Sequence, residues 1–176
     1  MSDYRRAQDA GACYFFTLVT HQRQPLLTQP RLREALRLAI VQVRQRYPFN
    51  ICGWVLLPDH LHCLWQLPEE DADYGLRWSM IKRLTSQAVP SAQGVSLSRR
   101  LRRESGLWQR RFWEHRIRDE ADYRRHMDYL HWNPMRHGLV ERVADWPWSS
   151  YHRLVREGVY PEDWAGVADD MDAFGE

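Results

Sequence analysis

Two short runs, NICGWVLL (50 to 57) and LHCLWQL (61 to 67), constrain this chain more than any other feature. Both are rich in β-branched, aromatic and aliphatic residues, which suits strands. Only Pro58, Asp59 and His60 separate them. So short a link leaves an antiparallel hairpin as the way to connect them. Side chains alternate along a strand, so His60 and His62 point to one face, about 6–7 Å apart along it. Two imidazoles on one face are either half of a metal site or ordinary polar residues on a wet sheet, and the rest of the chain has to decide.

The neighbouring segments supply a fold. ACYFFTLVT (12 to 20) reads as a first strand. From Pro30, with Thr28 as candidate cap, RLREALRLAIVQVRQRY places Leu32, Leu36, Ile40 and Val43 at helical spacing, and Pro48 ends the run. A second helix fits LRWSMIKRLTSQ (76 to 87), with Met80, Ile81 and Leu84 inward and Arg77, Lys82 and Arg83 on its other side. Residues 88 to 106, with Arg99, Arg100, Arg102 and Arg103 close together, read as a mobile or partner-ordered loop. LWQRRFWEHRIR (107 to 118) reads as a fourth strand. Asp119 then caps a helix over EADYRRHMDYLHWN, which Pro134 is expected to stop. An appended helix is expected to begin near Trp146 to Ser150. This order is the split βαβ pattern of an α+β, ferredoxin-like fold, a four-stranded antiparallel sheet with two helices on one face and the first and third strands central. The helix ending in WN is left to cross the other side. Residues 1–160 form one domain on this reading, and 161–176 an acidic tail.

Composition narrows the function. A chain of 176 residues is most simply one domain. It has no apolar run of 18 residues, so no spanning helix and no membrane partner are expected, and its N-terminus lacks a secretory signal, which points to the cytoplasm. Cys13, Cys52 and Cys63 are odd in number and widely spaced, as expected of buried reduced thiols. Lys82 is the only lysine against 24 arginines, and nine tryptophans offer flat faces. Arginine forks suit phosphates and base edges, and tryptophan suits base stacking, so a nucleic-acid partner is indicated.

The helix MDYLHWNP (127 to 134) supplies what the histidines need. Tyr129 and Asn133 are four residues apart and share a helical face. If that face lies over the sheet, two imidazoles and one amide oxygen can bind a divalent cation beside a phenol. Tyr123, His115, His131, His137 and His152 have no such pairing and read as core, structural or solvent-exposed residues. Asp59, beside His60, is either a turn residue or a partner for the imidazole's second nitrogen.

HLH followed by a helical YLHWN resembles the HUH-type single-tyrosine transposases. YRR near the N-terminus, WVLLPDHLHCLWQLPE, RFWEHRIRDEADYRRHMDYLHWNPMRHGLV and DWPWSSYHR together resemble the REP-associated tyrosine transposases over roughly residues 4 to 166. The resemblance implies that His60, His62 and Asn133 hold Mg²⁺ or Mn²⁺ and that Tyr129 is the nucleophile. Attack would leave a 5′-phosphotyrosine on one DNA fragment and a 3′-hydroxyl on the other. The implied partner is single-stranded DNA folded into an imperfect hairpin. Its expected contacts are Tyr4, Arg5 and Arg6 as a basic aromatic arm, Arg77, Lys82 and Arg83 on the second helix, Arg110, Arg111 and Trp113 at the fourth strand, and Arg125 and His126 flanking Tyr129. Each of these also reads as part of a solvated arginine-rich face. A monomer is favoured over a dimer, because the extra C-terminal segment would obstruct exchange of the tyrosine helix. Two rivals stay open: a metal phosphoesterase in which water attacks, and a protein that binds structured nucleic acid without cutting it.

Overall fold

The computed structural model describes residues 9–88 and 106–166. Tyr4, Arg5 and Arg6, the arginines at 99, 100, 102 and 103, and the tail from residue 167 lie outside the described residues. The elements are β1 (Cys13–Val19), α1 (Pro30–Arg46), β2 (Asn50–Leu56), β3 (His60–Gln66), α2 (Tyr74–Gln87), β4 (Trp113–Arg116), α3 (Glu120–Arg136) and α4 (Tyr151–Arg156). The sheet order is β2-β3-β1-β4, antiparallel throughout, so β1 and β3 are central as expected. Among the described residues no helix is long and apolar enough to cross a membrane.

Alternation along β1 and β3 divides the interior in two. Tyr14, Phe16, Leu18, Leu61, Cys63 and Trp65 point towards α1 and α2, where Trp65 stacks on Trp78 with ring centroids 4.0 Å apart. Arg77 belongs to this layer and not to a basic surface, correcting the expected DNA contact. It is 1% exposed. Its guanidinium is spent on the Asp71 carboxylate (3.0 and 2.6 Å) and on the carbonyls of Asp73, Pro48 and Tyr47. Such a group ties the start of α2 to the turn after α1, because a buried guanidinium is tolerated only when its donors are met.

Phe15, Leu64 and Val55 face the other way and meet Met127, Tyr129 and Leu130 of α3. The approach is close at Gly53. A Cβ there would lie 2.5 Å from Met127 Sδ and 3.4 Å from a Leu130 methyl. Asp119 caps α3 by accepting from the Asp122 N–H at 2.8 Å, as its sequence position indicates. Asp122 then anchors the first turn to β4, accepting from His115 Nε2 (2.8 Å) and from the Arg118 backbone N–H (3.0 Å).

Three local expectations are corrected. Thr28 does not cap α1; the N-cap is Gln29, without a side-chain bond, and the Thr28 carbonyl instead accepts from Arg33. The fourth strand is four residues rather than twelve, because the carbonyls of Gln109 and Arg110 turn to Lys82 Nζ (2.6 and 3.2 Å), leaving Trp108 to bridge Thr20 separately. Pro134 does not stop α3. The helix runs on to Arg136, and the His137 N–H closes on the Asn133 carbonyl at 3.0 Å; proline forgoes one bond here without ending the run. The appended helix begins at Tyr151 with Ser150 as its N-cap, at the end of the expected range, once Trp148 and Ser150 have paired with β2 (Leu56 N–H to the Trp148 carbonyl, 2.9 Å; Ser150 N–H to the Trp54 carbonyl, 2.8 Å).

His126 is also corrected: it is 1% exposed and cannot lie on a phosphate-facing surface. Its Nδ1 meets the Asp122 carbonyl at 2.8 Å, and its ring stacks on His115 at 4.4 Å and packs against Phe15 at 4.9 Å. Burial pushes its pKa down to about 4, assisted by His115 and Arg125 and opposed by Asp122. The folded value lies below that of the unfolded chain, about 6.5. Between those values the unfolded state therefore binds more protons. The contribution of neutral His126 is complete above about pH 6.5 and is lost as the pH falls towards 4, to a total of about 3 kcal/mol. His126→Gln should flatten the fall of the urea midpoint between pH 7 and 4.5, and an unchanged slope would place the acid sensitivity elsewhere. At Gly53 we expect Gly53→Ala to be mild, because the Met127 thioether can swing aside. Gly53→Val should cost about 1–3 kcal/mol in urea unfolding by overpacking the helix–sheet contact.

Candidate active site

The two histidines of β3 and the tyrosine helix meet on the face that α3 covers. His62 lies opposite Thr17 of β1, and His60 opposite Val19. The His60 and His62 rings are 4.9 Å apart, and the Tyr129 ring is 5.4 Å from His62. Asn133, one helical turn beyond Tyr129, is fully buried beneath α3, and His60, His62 and Tyr129 are buried with it. The packing of one helix on one sheet face therefore brings Tyr129 to the two histidines, with Asn133 buried one turn further along the helix.

Each histidine is oriented through Nδ1. His60 Nδ1 lies 2.6 Å from Asp59 Oδ1, and His62 Nδ1 lies 2.8 Å from Thr17 Oγ1. A carboxylate can only accept, so Asp59 fixes the proton on His60 Nδ1 and turns the lone pair to Nε2. Asp59 is itself held below the usual carboxylate range: partial burial raises its pKa, but His60 and the Arg23 guanidinium, 3.3 Å away, more than offset it. The donor set of two Nε2 atoms and an amide oxygen, with its histidines locked from behind, suits a borderline divalent cation.

Several neighbours were given no role in the site from the sequence. Arg136 Nη1 donates to the Tyr129 hydroxyl at 2.8 Å, and the His137 ring is 5.0 Å from His60. Both were hidden by the expectation that Pro134 ends the helix; their spacing of seven and eight residues from Tyr129 is the signal that would have found them. Arg23 arrives from a short turn in which Gln22 and Arg23 both hold positive φ (55° and 51°), a conformation side chains rarely adopt and for which the sequence offers no glycine marker.

A groove of about 340 Å³ opens beside His60, lined by Thr17, Arg23, Arg111, Phe112 and Trp113 among others. Of the expected DNA contacts, Arg83, Arg110, Arg111, Trp113 and Arg125 are exposed, whereas Lys82 is drawn onto the loop before β4. Trp113 is 40% exposed and stacks on His115 at 5.9 Å with the rings 8° from parallel. His115, Asp122 and His126 also bring three ligand atoms within 4.8 Å of one another. They do not suit a cation. The two rings lie nearly parallel (15°), so their in-plane lone pairs do not converge, and the carboxylate already accepts from His115 and Arg118.

Comparison with known proteins places this geometry. The family model described as "Transposase IS200 like" matches residues 11–131. A protein named as a REP-associated tyrosine transposase in Haemophilus influenzae is 45% identical over 170 residues, covering 96% of this chain and 96% of that protein. The REP-associated tyrosine transposase of Escherichia coli K12 is 44% identical over 174 residues, covering 98% of this chain and 96% of that protein. A solved REP-associated tyrosine transposase bound to a REP hairpin superposes with a TM-score of 0.83 at 44% identity, covering all of this chain and 98% of that one. With its hairpin-borne histidine pair beneath a tyrosine helix, the chain belongs to the REP-associated tyrosine transposases, within the IS200-like transposase enzymes.

Proposed function

We propose that this transposase is a metal-dependent single-strand DNA endonuclease and strand transferase that acts on hairpin-forming REP-type repeats through a 5′-phosphotyrosine. The observation that carries the reading is the placement of the Tyr129 ring 5.4 Å from His62, with His60 alongside and Asn133 one turn away. A related structure holds a REP hairpin, which supports the same substrate class here.

His60, His62 and Asn133 would hold Mg²⁺ or Mn²⁺. A cation there would offset charge on the scissile phosphate and orient it for in-line attack. The chain's own residues do the rest. Asp59 and Thr17 hold the imidazoles in place. Arg23 and Arg111 line the groove where a phosphate backbone can lie, and exposed Trp113 offers a face for a base. Arg83, Arg110 and Arg125 extend the basic surface, and Tyr4, Arg5 and Arg6 are assigned to the same strand from sequence. Tyr129 Oη attacks phosphorus, the P–O3′ bond breaks, the phenol gives up its proton and the 3′ oxygen gains one. One phosphodiester replaces another, so the 3′-hydroxyl can later reverse the step without a nucleotide cofactor. All of the proposed catalytic groups come from one chain, which supports action as a monomer.

The test is a denaturing gel with end-labelled hairpin DNA drawn from repeats flanking the gene, plus Mn²⁺. Label should migrate with the wild-type protein and vanish from that band with Tyr129→Phe or with chelator. Cleavage without an adduct, surviving Tyr129→Phe, would identify water as the nucleophile; binding without either product would leave a recognition module. In the same assay Asp59→Ala should raise the Mn²⁺ concentration for half-maximal cleavage about 10–100-fold, since it removes the acceptor that orients His60.

A further inference from the structure

We infer that Arg136 is a phosphate-binding catalytic residue, which grips the non-bridging oxygens of the same phosphate that Tyr129 attacks. The inference rests on Tyr129 being the nucleophile and adds to it a group that neither the metal ligands nor the exposed basic surface supplies.

The argument is one of distance. Arg136 Nη1 is 2.8 Å from Tyr129 Oη, and the guanidinium carbon is 5.5 Å from the centroid of the tyrosine ring. An attacking oxygen must come within about 3–3.5 Å of phosphorus before the bond forms. Non-bridging oxygens stand close around that phosphorus, so a cation beside Oη is brought within reach of them when the strand is in place. The planar guanidinium has five N–H donors in a fixed fork, enough to span a hydroxyl and a phosphate together. It is half-buried, so its attraction for a developing phosphorane is screened less than that of an arginine on the open surface. The continuation of α3 through Pro134 is what delivers it, because Arg136 lies seven residues after Tyr129 and so on the same helical face. His60 and His62 approach Tyr129 from the sheet, whereas Arg136 approaches from the helix. A phosphate in place would thus lie between a cation that the sheet histidines would hold and the Arg136 guanidinium on the helix.

The alternative is that Arg136 only orients the phenol. The two roles separate when the charge on the phosphate is removed. Single-turnover adduct formation would be followed with wild type, Arg136→Ala and Arg136→Gln at saturating hairpin DNA, on a normal strand and on one with a neutral methylphosphonate at the cleavage position. Arg136→Gln keeps an N–H for the hydroxyl and loses the charge. On the normal strand both variants should be slower by about 10²–10³-fold, the usual loss for one transition-state donor, with hairpin affinity within about threefold of wild type. On the methylphosphonate strand that ratio should collapse to within about threefold. The inference is overturned if Arg136→Gln cleaves the normal strand at the wild-type rate, or if the ratio is the same on both strands, which would restrict Arg136 to the tyrosine. Wild-type protein that makes no adduct with the normal strand would sink the nucleophile assignment itself, a result distinct from either.

Discussion

The catalytic face depends on one helix–sheet contact. β3 alone presents His60 and His62 as a polar pair on an open sheet. Only when α3 lies across β2 and β3 do Tyr129 and Asn133 arrive, and at Gly53 the two surfaces approach closely. The seam is apolar, with Phe15, Val55 and Leu64 below and Met127 and Leu130 above, so water exclusion holds it. Its direction is set at both ends by polar contacts: Asp119 and Asp122 at the start of α3, and the bond between His131 and Ser150 Oγ, 2.9 Å, further along. A rotation of α3 by one residue, about 100°, would carry Tyr129 off the histidines altogether.

Much of this was legible in the sequence because it rests on short-range rules. A three-residue link forces the hairpin, alternation places both histidines on one face, and a spacing of four places Tyr129 with Asn133. The elements that escaped depend on tertiary context. Pro134 is a helix breaker by propensity, yet it sits where the helix is already packed on the sheet, and packing overrides one lost hydrogen bond. Arg77 looks like a surface arginine because sequence cannot show that the turn after α1 brings two carbonyls to it. His126 looks like a neighbour of Tyr129 on the helical wheel, but the wheel does not say which way the helix rolls. Arg23 depends on two residues in a left-handed turn, which no glycine or asparagine announces.

The charges of the site are arranged in layers rather than as a cluster. Asp59 is bonded to His60 from behind, and its proximity to His60 and Arg23 keeps it ionised. Arg23 and Arg111 line the groove that opens beside His60. Positive charge thus lies along the groove, while the carboxylate reaches it only through an imidazole ring.

The pairing of Trp148 and Ser150 with β2 has a consequence for how the molecule keeps company. A sheet exposes backbone donors and acceptors along its two outer strands, and such edges invite pairing with other sheets. Among the described residues, the end of β2 is occupied by the chain's own residues 148–150, and β4 at the other margin is only four residues long. At those places the chain offers another sheet little backbone to extend. The same turn of chain that closes the fold thus shields the end of β2 from a second sheet.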